Sequence, residues 1–188
     1  MNTERGSVLL PIARAAISNV LSVPHSADES ASWLTEHGAC FVTLTQHGEL
    51  RGCIGTLQAH RPLLEDVKAN AVAAALHDPR FPALRPAELD YTEVEISLLS
   101  PATNMSFESE ADAGTQLRQG IDGIIFQYRH YRSTFLPQVW EQLPQPRDFM
   151  AHLKHKAGLS PAFWSEDVKL SRYGVVKWRE ADFFGQDQ

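Results

Sequence analysis

Only two cysteines, Cys40 and Cys53, occur in 188 residues, so no disulfide framework can hold this chain together and a packed core must. Positive charge is scarce as well: 17 Lys and Arg stand against 23 Asp and Glu, a formal net charge of -6. That is the wrong sign for clamping a phosphate backbone over a broad face, and nucleic acid is not expected as a partner. Apolar stretches such as Ile124-Ile125-Phe126 fall far short of the ~20 residues that cross a bilayer, so no membrane partner is expected either. No basic-then-apolar leader precedes the first helical pattern, and a cytoplasmic location is the expectation. Repeats and low-complexity tracts are lacking.

What is present is the material of a globular protein. Hydrophobic residues make up 43% and charged residues 21%, enough at this length to bury roughly 70% of the unfolded surface. Leu9, Ile12, Ala13, Ala16, Ile17, Val20 and Leu21 recur at helical spacing before Pro24, which predicts a helix over 3–20. Ser26 and Glu29 fit a capping box and predict a short helix that runs on toward Gly38. The period then changes to that of strands. Residues 40–45 and 50–55 flank Gln46-His47-Gly48-Glu49, and Gly48 suits a tight turn, so a β-hairpin is predicted.

Pro62 opens a helix whose apolar stripe, from Leu63 through Ala75, ends near His77. Three prolines over 78–86 make that stretch irregular. Val94, Ile96 and Leu98 alternate with polar residues in a strand ended by Pro101. The polar segment 104–120 is an exposed helix or insertion where a smaller lobe is expected to begin. Strands follow at 121–128 and 133–136, then a short helix from Pro137, a helix capped by Asp148 and stopped by Gly158, and one last strand over 168–178. Two of the connections are hairpins, so the expected fold is α+β: a mostly antiparallel sheet flanked by helices, in two unequal lobes with a cleft between them.

Chemistry points first to Leu50-Arg51-Gly52-Cys53-Ile54-Gly55. Two glycines weaken a strand and are tolerated where another backbone or a ligand comes close. Regular alternation places Arg51, Cys53 and Gly55 on one face, with a guanidinium two residues from a thiol; a nearby cation raises a thiol's reactive anionic fraction. Cys53 is then a nucleophile or ligand contact beside Arg51, or else a small buried hydrophobe whose flanking glycines relieve crowding. Pairing across the turn sets Cys40 opposite Gly55, a poor placement for a Cys40–Cys53 disulfide.

Weaker candidates lie elsewhere. His60 and Arg61 precede a helix N-terminus that favours anions, although an ordinary solvated helix start explains them as well. Asp78 and Arg80 sit in a proline-stiffened loop that is either a binding rim or a capped turn with an internal ion pair. Glu93 and Glu95 share a strand face, as an acid pair or a solvated edge. His152 and His155, three apart on one helix, read better as surface residues than as metal ligands, and no metal site is expected. Arg129, His130 and Arg132 crowd a turn that exposes them in any case.

Taken together, Leu50 to Gly55, Asn70-Ala71, Asp78-Pro79-Arg80-Phe81-Pro82, Glu95 to Pro101, Phe135 to Trp140 and Lys156-Ala157-Gly158-Leu159 resemble the AMMECR family. Its bacterial branch is similar to the A component of the AmmeMemoRadiSam system. The resemblance runs in order from about Leu9 to Phe184, with 104–120 its weakest part. It implies a single AMMECR-like domain over 1–188, a site at the Arg-Gly-Cys-Ile-Gly motif, and association with a Memo-like protein and a radical-SAM protein. It implies no particular reaction, substrate or cofactor. The expected site therefore comprises Arg51, Gly52, Cys53, Ile54 and Gly55, with Asp78, Arg80 and Glu95 as neighbours. The molecule is read as an enzyme or enzyme component acting on an unidentified small molecule, or alternatively as a non-catalytic docking module.

Overall fold

The computed structural model describes residues 2–184. It is a mixed α+β structure with two four-stranded, mostly antiparallel sheets flanked by helices, and its internal contacts divide it into two units. Of the described residues, one unit holds 2–99 and 176–184; the other is Ser100–Val175.

In the first unit, α1 (Asn2–Val20) and α2 (Leu63–Leu76) pack on a sheet of β1 (Ala39–Gln46), β2 (Glu49–Gly55), β3 (Thr92–Leu99) and β8 (Val175–Arg179), in the order β2-β1-β3-β8. The helical period in α1 buries Leu9, Leu10, Ile12, Ala13 and Ile17 completely, each large aliphatic side chain contributing about 1.5–3 kcal/mol. That burial carries the helix straight through Pro11, which costs it one backbone hydrogen bond. Alternation in β1 sends Cys40, Val42 and Leu44 into the same core, where Val94 and Ile96 of β3 join them.

The hairpin turns on His47 and Gly48, both at positive φ (52° and 81°), the conformation a two-residue turn requires to follow the twist of its strands. Its register corrects the sequence expectation. Thr45 pairs with Leu50 but Leu44 pairs with Gly52, so Arg51 is an extra residue in β2. This bulge offsets every later pair by one: Phe41, not Cys40, lies opposite Gly55, and Cys53 pairs with Thr43.

Two further expectations fail. No helix starts at Ser26; a single 3-10 turn covers Ser32–Thr35 instead and buries Leu34 in the core, with Ala27, Ala31 and Trp33 packed beside it. The last strand is broken at Gly174 into β7 (Lys169–Tyr173) and β8, which belong to different sheets.

In the second unit, β4 (Thr103–Asn104), β5 (Gly123–Tyr128), β6 (Tyr131–Phe135) and β7 form a sheet in the order β4-β7-β5-β6. With α3 (Glu110–Gln116) and α4 (Pro146–Lys156) they enclose a core in which the Trp140 and Phe149 rings stack 3.9 Å apart. Asp148 lies in the first turn of α4 without capping it, since the helix begins at Pro146. A last helix, α5 (Glu180–Phe184), follows β8. No described helix is long and apolar enough to cross a membrane.

Candidate functional site

The sheet of the first unit has a side turned away from the α1–α2 core. Gly52 and Ile54 pair with the core-facing Leu44 and Val42, so Cys53 and its partner Thr43 point to the opposite side, as does Glu95, which pairs with Thr43 across the other edge of β1. Cys53, Thr43 and Glu95 thus form a row across three strands. The Thr43 hydroxyl donates to the Cys53 sulfur at 3.3 Å. Glu95 is flanked by Lys177 at 4.0 Å and Arg179 at 3.6 Å. A thiol, a hydroxyl, a carboxylate and two cations therefore share one face.

Cys53 is half-buried and its thiol is free. Its backbone amide donates to Asp78 Oδ2 at 2.9 Å. Asp78 is buried and accepts at the same time from the Arg80 guanidinium, at 2.7 Å and 3.0 Å, and from the Arg80 amide. The Arg80 side chain holds the Asp78 carboxyl well below the usual carboxylate range; burial opposes this, and the Cys53 and Arg80 amides add to it. Arg80 Nη2 also lies 3.4 Å from the Cys53 carbonyl oxygen, and its side-chain hydrogen bonding to Asp78, with that carboxylate's charge, raises the guanidinium's pKa against the cost of burial.

The cation brought to Cys53 is therefore Arg80, where alternation pointed to Arg51. The bulge takes Arg51 out of the alternation and buries it in an ion pair with Glu88, Nε to Oε1 at 3.3 Å. Gln46 donates to the same carboxylate and to Thr92, tying this group to the opposite end of the hairpin from Gly55. Burial works against ionised Glu88, but the Arg85 amide, Gln46 and Arg51 outweigh it and leave its pKa lowered.

The glycines face this protein's own atoms. A Cβ on Gly52 would lie 2.2 Å from the Ala74 carbonyl oxygen of α2, and one on Gly55 would lie 2.2 Å from the Phe41 ring. Gly52 is the price of seating α2 directly on β2. Ile54 packs partly buried against the same core.

Sequence reasoning missed a second network, behind the hairpin. Asp66 is fully buried and accepts from the Cys40 amide and thiol, Thr56, Arg61 and Asn70. Asn70 also donates to the Cys40 carbonyl. Burial, reinforced by the Asp66 charge, pushes the Cys40 thiol far up and leaves it inert. The signal was legible: Asp66 and Asn70 occupy the buried stripe of α2 alongside Val67, Ala71 and Ala74, and polar groups at core positions need partners.

The remaining candidates disperse. Arg61 is spent on Asp66, and the His60 ring rests on the Gln58 carbonyl. Glu93 accepts from the Ala181 amide while Glu95 faces Lys177 and Arg179, so they do not act as an acid pair. Arg129 lies over the Tyr128 ring, and His152 contacts the Asp148 carbonyl. Among the described residues, no group of three or more His, Cys, Asp or Glu side chains is arranged to hold a metal ion.

Comparison with known proteins adds the following. A family model described as AMMECR1 matches residues 10–178. A protein of Methanothermobacter thermautotrophicus is 34% identical over 192 residues, covering 96% of this chain and 96% of its own length. One from Methanocaldococcus jannaschii is 34% identical over 195 residues, covering 99% of this chain and 95% of that protein. The crystal structure of an uncharacterized protein from Pyrococcus horikoshii superposes with a TM-score of 0.77 at 31% identity, covering 94% of this chain and 91% of that one.

Proposed function

The chain belongs to the AMMECR1 family, and from that premise we propose that it is an enzyme, or a component of one, that handles a small molecule at Cys53. The observation that carries this reading is the contrast between its two thiols. Cys40 is sealed and locked to Asp66, whereas Cys53 is half-buried, accepts a hydrogen bond from Thr43 and has its backbone clamped by Asp78 with Arg80 alongside. A thiol of this kind, only partly buried and carried on a strand held by the Asp78–Arg80 pair, is what nucleophilic or ligand-holding chemistry requires.

In this reading Cys53 touches the small molecule, and Arg80 supplies the positive charge assigned above to Arg51. Glu95, with Lys177 and Arg179 beside it, offers a polar anchor on the same face. Arg51, Gly52, Ile54 and Gly55 shape the strand that presents the thiol. The family resemblance adds a Memo-like protein and a radical-SAM protein as working partners, in a cytoplasm that keeps both thiols reduced.

Iodoacetamide labelling at neutral pH, with the labelled cysteine mapped by mass spectrometry, tests this. Cys53 should react and Cys40 should not. Arg80→Ala should slow Cys53 labelling severalfold and Arg80→Lys should restore most of it. A Cys53 that reacts no faster than free cysteine, and ignores Arg80, removes the chemical reading and leaves the docking module.

A further inference from the structure

The first unit also contains a cavity of about 680 Å³, within the range of small-molecule sites. It lies where several segments of that unit converge: the middle of α1 and the loop after it at His25, the hairpin turn at His47 and Gly48, the stretch of Asp90 to Glu93 that leads into β3, and α5. None of Cys53, Asp78, Arg80 and Glu95 lines it. We propose that this cavity binds an organic cation, an amine with an apolar or aromatic body.

Its walls are held rigidly before any ligand arrives. Arg14 Nε donates to Glu180 at 2.8 Å, and its Nη1 and Nη2 donate to the Leu89 and Thr92 carbonyls at 3.2 Å and 2.6 Å. Glu180 in turn accepts from the Val94 amide at 2.8 Å. These bonds join α1, α5 and β3, so little ordering is left to oppose binding.

The same bonds decide the charge of the site. Arg14 and Glu180 neutralise one another. Two more carboxylates line the cavity, Asp90 and Glu93, and neither has an ion-pair partner among the described residues. The Asp90 carboxylate accepts no hydrogen bond there either, and the Glu93 carboxylate uses Oε1 alone, accepting from the Ala181 amide at 3.2 Å. Besides the Arg14–Glu180 pair and the rings of His25 and His47, the charged groups of the cavity are thus these two carboxylates, set beside apolar surface.

That surface is led by Tyr91, which stacks on His47 with ring centroids 5.6 Å apart and an interplanar angle of 12°. Tyr91 directly follows Asp90 in the chain and is still 44% exposed. An aromatic face beside a carboxylate binds an organic cation twice over: the charge is attracted by the carboxylate and the ring quadrupole, and the apolar body loses water against the ring. A neutral ligand would gain only the second effect, and an anion would be repelled.

Calorimetric titration of the full chain with tryptamine tests this, with N-acetyltryptamine as its neutral counterpart and indole-3-propionate as its anionic one. Tryptamine should bind saturably, at least about tenfold tighter than the neutral amide, and the anion should not bind. The pair of substitutions Asp90→Asn and Glu93→Gln should cost tryptamine about tenfold while leaving the amide unchanged. Tyr91→Ala, at an exposed position that tolerates truncation, should weaken both. Equal affinity for amine and amide, affinity indifferent to the two carboxylates, or no saturation up to about 10 mM tryptamine would each overturn the proposal. Circular dichroism shows that each variant is folded before it is titrated.

Discussion

The Cys53 amide donates to Asp78 Oδ2 at 2.9 Å, so the strand that carries the thiol is pinned from the side by a carboxylate whose other partner is Arg80. β2 is the edge strand of its sheet, and Asp78 satisfies an amide that its single neighbour β1 does not. The orientation of Cys53 therefore depends on the charge state of a residue in the proline-rich loop after α2.

That dependence fixes the sign of one pH effect. Asp78 has its pKa lowered on folding, chiefly by Arg80, so the unfolded chain takes up the proton more readily. The stability it contributes is complete above the ordinary carboxylate value of about 3.9 and is lost as pH falls from there through the lower folded value. Asp78→Asn should lower Tm at about pH 6, and the gap between variant and parent should begin to narrow below about pH 4 and go on narrowing as the pH falls further. A gap that stays constant across this range would show that the carboxylate's charge is immaterial.

Gly52 gives a steric prediction. The Cβ of an alanine there would sit 2.2 Å from a backbone oxygen of α2, an atom that cannot swing aside as a side chain can. Gly52→Ala should lose about 3 kcal/mol or more in urea unfolding, at the upper end of single substitutions. Gly114→Ala, in α3 with nothing within 4 Å of the added carbon, should be neutral or slightly stabilising because alanine is the better helix former. A Gly52→Ala chain of unchanged stability would mean that α2 does not rest on β2 as described.

These residues also show what the sequence could disclose. The stripe from Leu63 to Ala75 and the turn at Gly48 were legible because burial and turn conformation each leave a periodic or compositional mark. So was the local pairing of Asp78 with Arg80, two residues apart in one loop. The bulge was not. Alternation identifies two facing strands but cannot say which residue is surplus, and assigning none placed Arg51 beside Cys53 and Cys40 opposite Gly55. The break at Gly174 was hidden for a similar reason: β7 and β8 read as one continuous strand because the two sheets they enter are not written in either segment. Glu88, the partner that claims Arg51, lies 37 residues away, beyond any local pattern.

The Arg51–Glu88 pair supplies the last prediction and separates packing from chemistry in the motif. Both side chains are about nine-tenths buried, and Arg51 Nη1 has no hydrogen-bond partner among the described residues. Arg51→Ala leaves Glu88 buried with only the distant, exposed Arg85 side chain at 3.5 Å as a counter-charge, and should cost about 3 kcal/mol. Combining Arg51→Met with Glu88→Gln removes both charges and should recover most of that loss, because a buried ion pair gains little over a neutral pair of similar shape. Iodoacetamide labelling of Cys53 in the folded single variant should proceed at the parent rate. If labelling slows while stability holds, Arg51 acts on the thiol and the separation drawn between them by the bulge is mistaken.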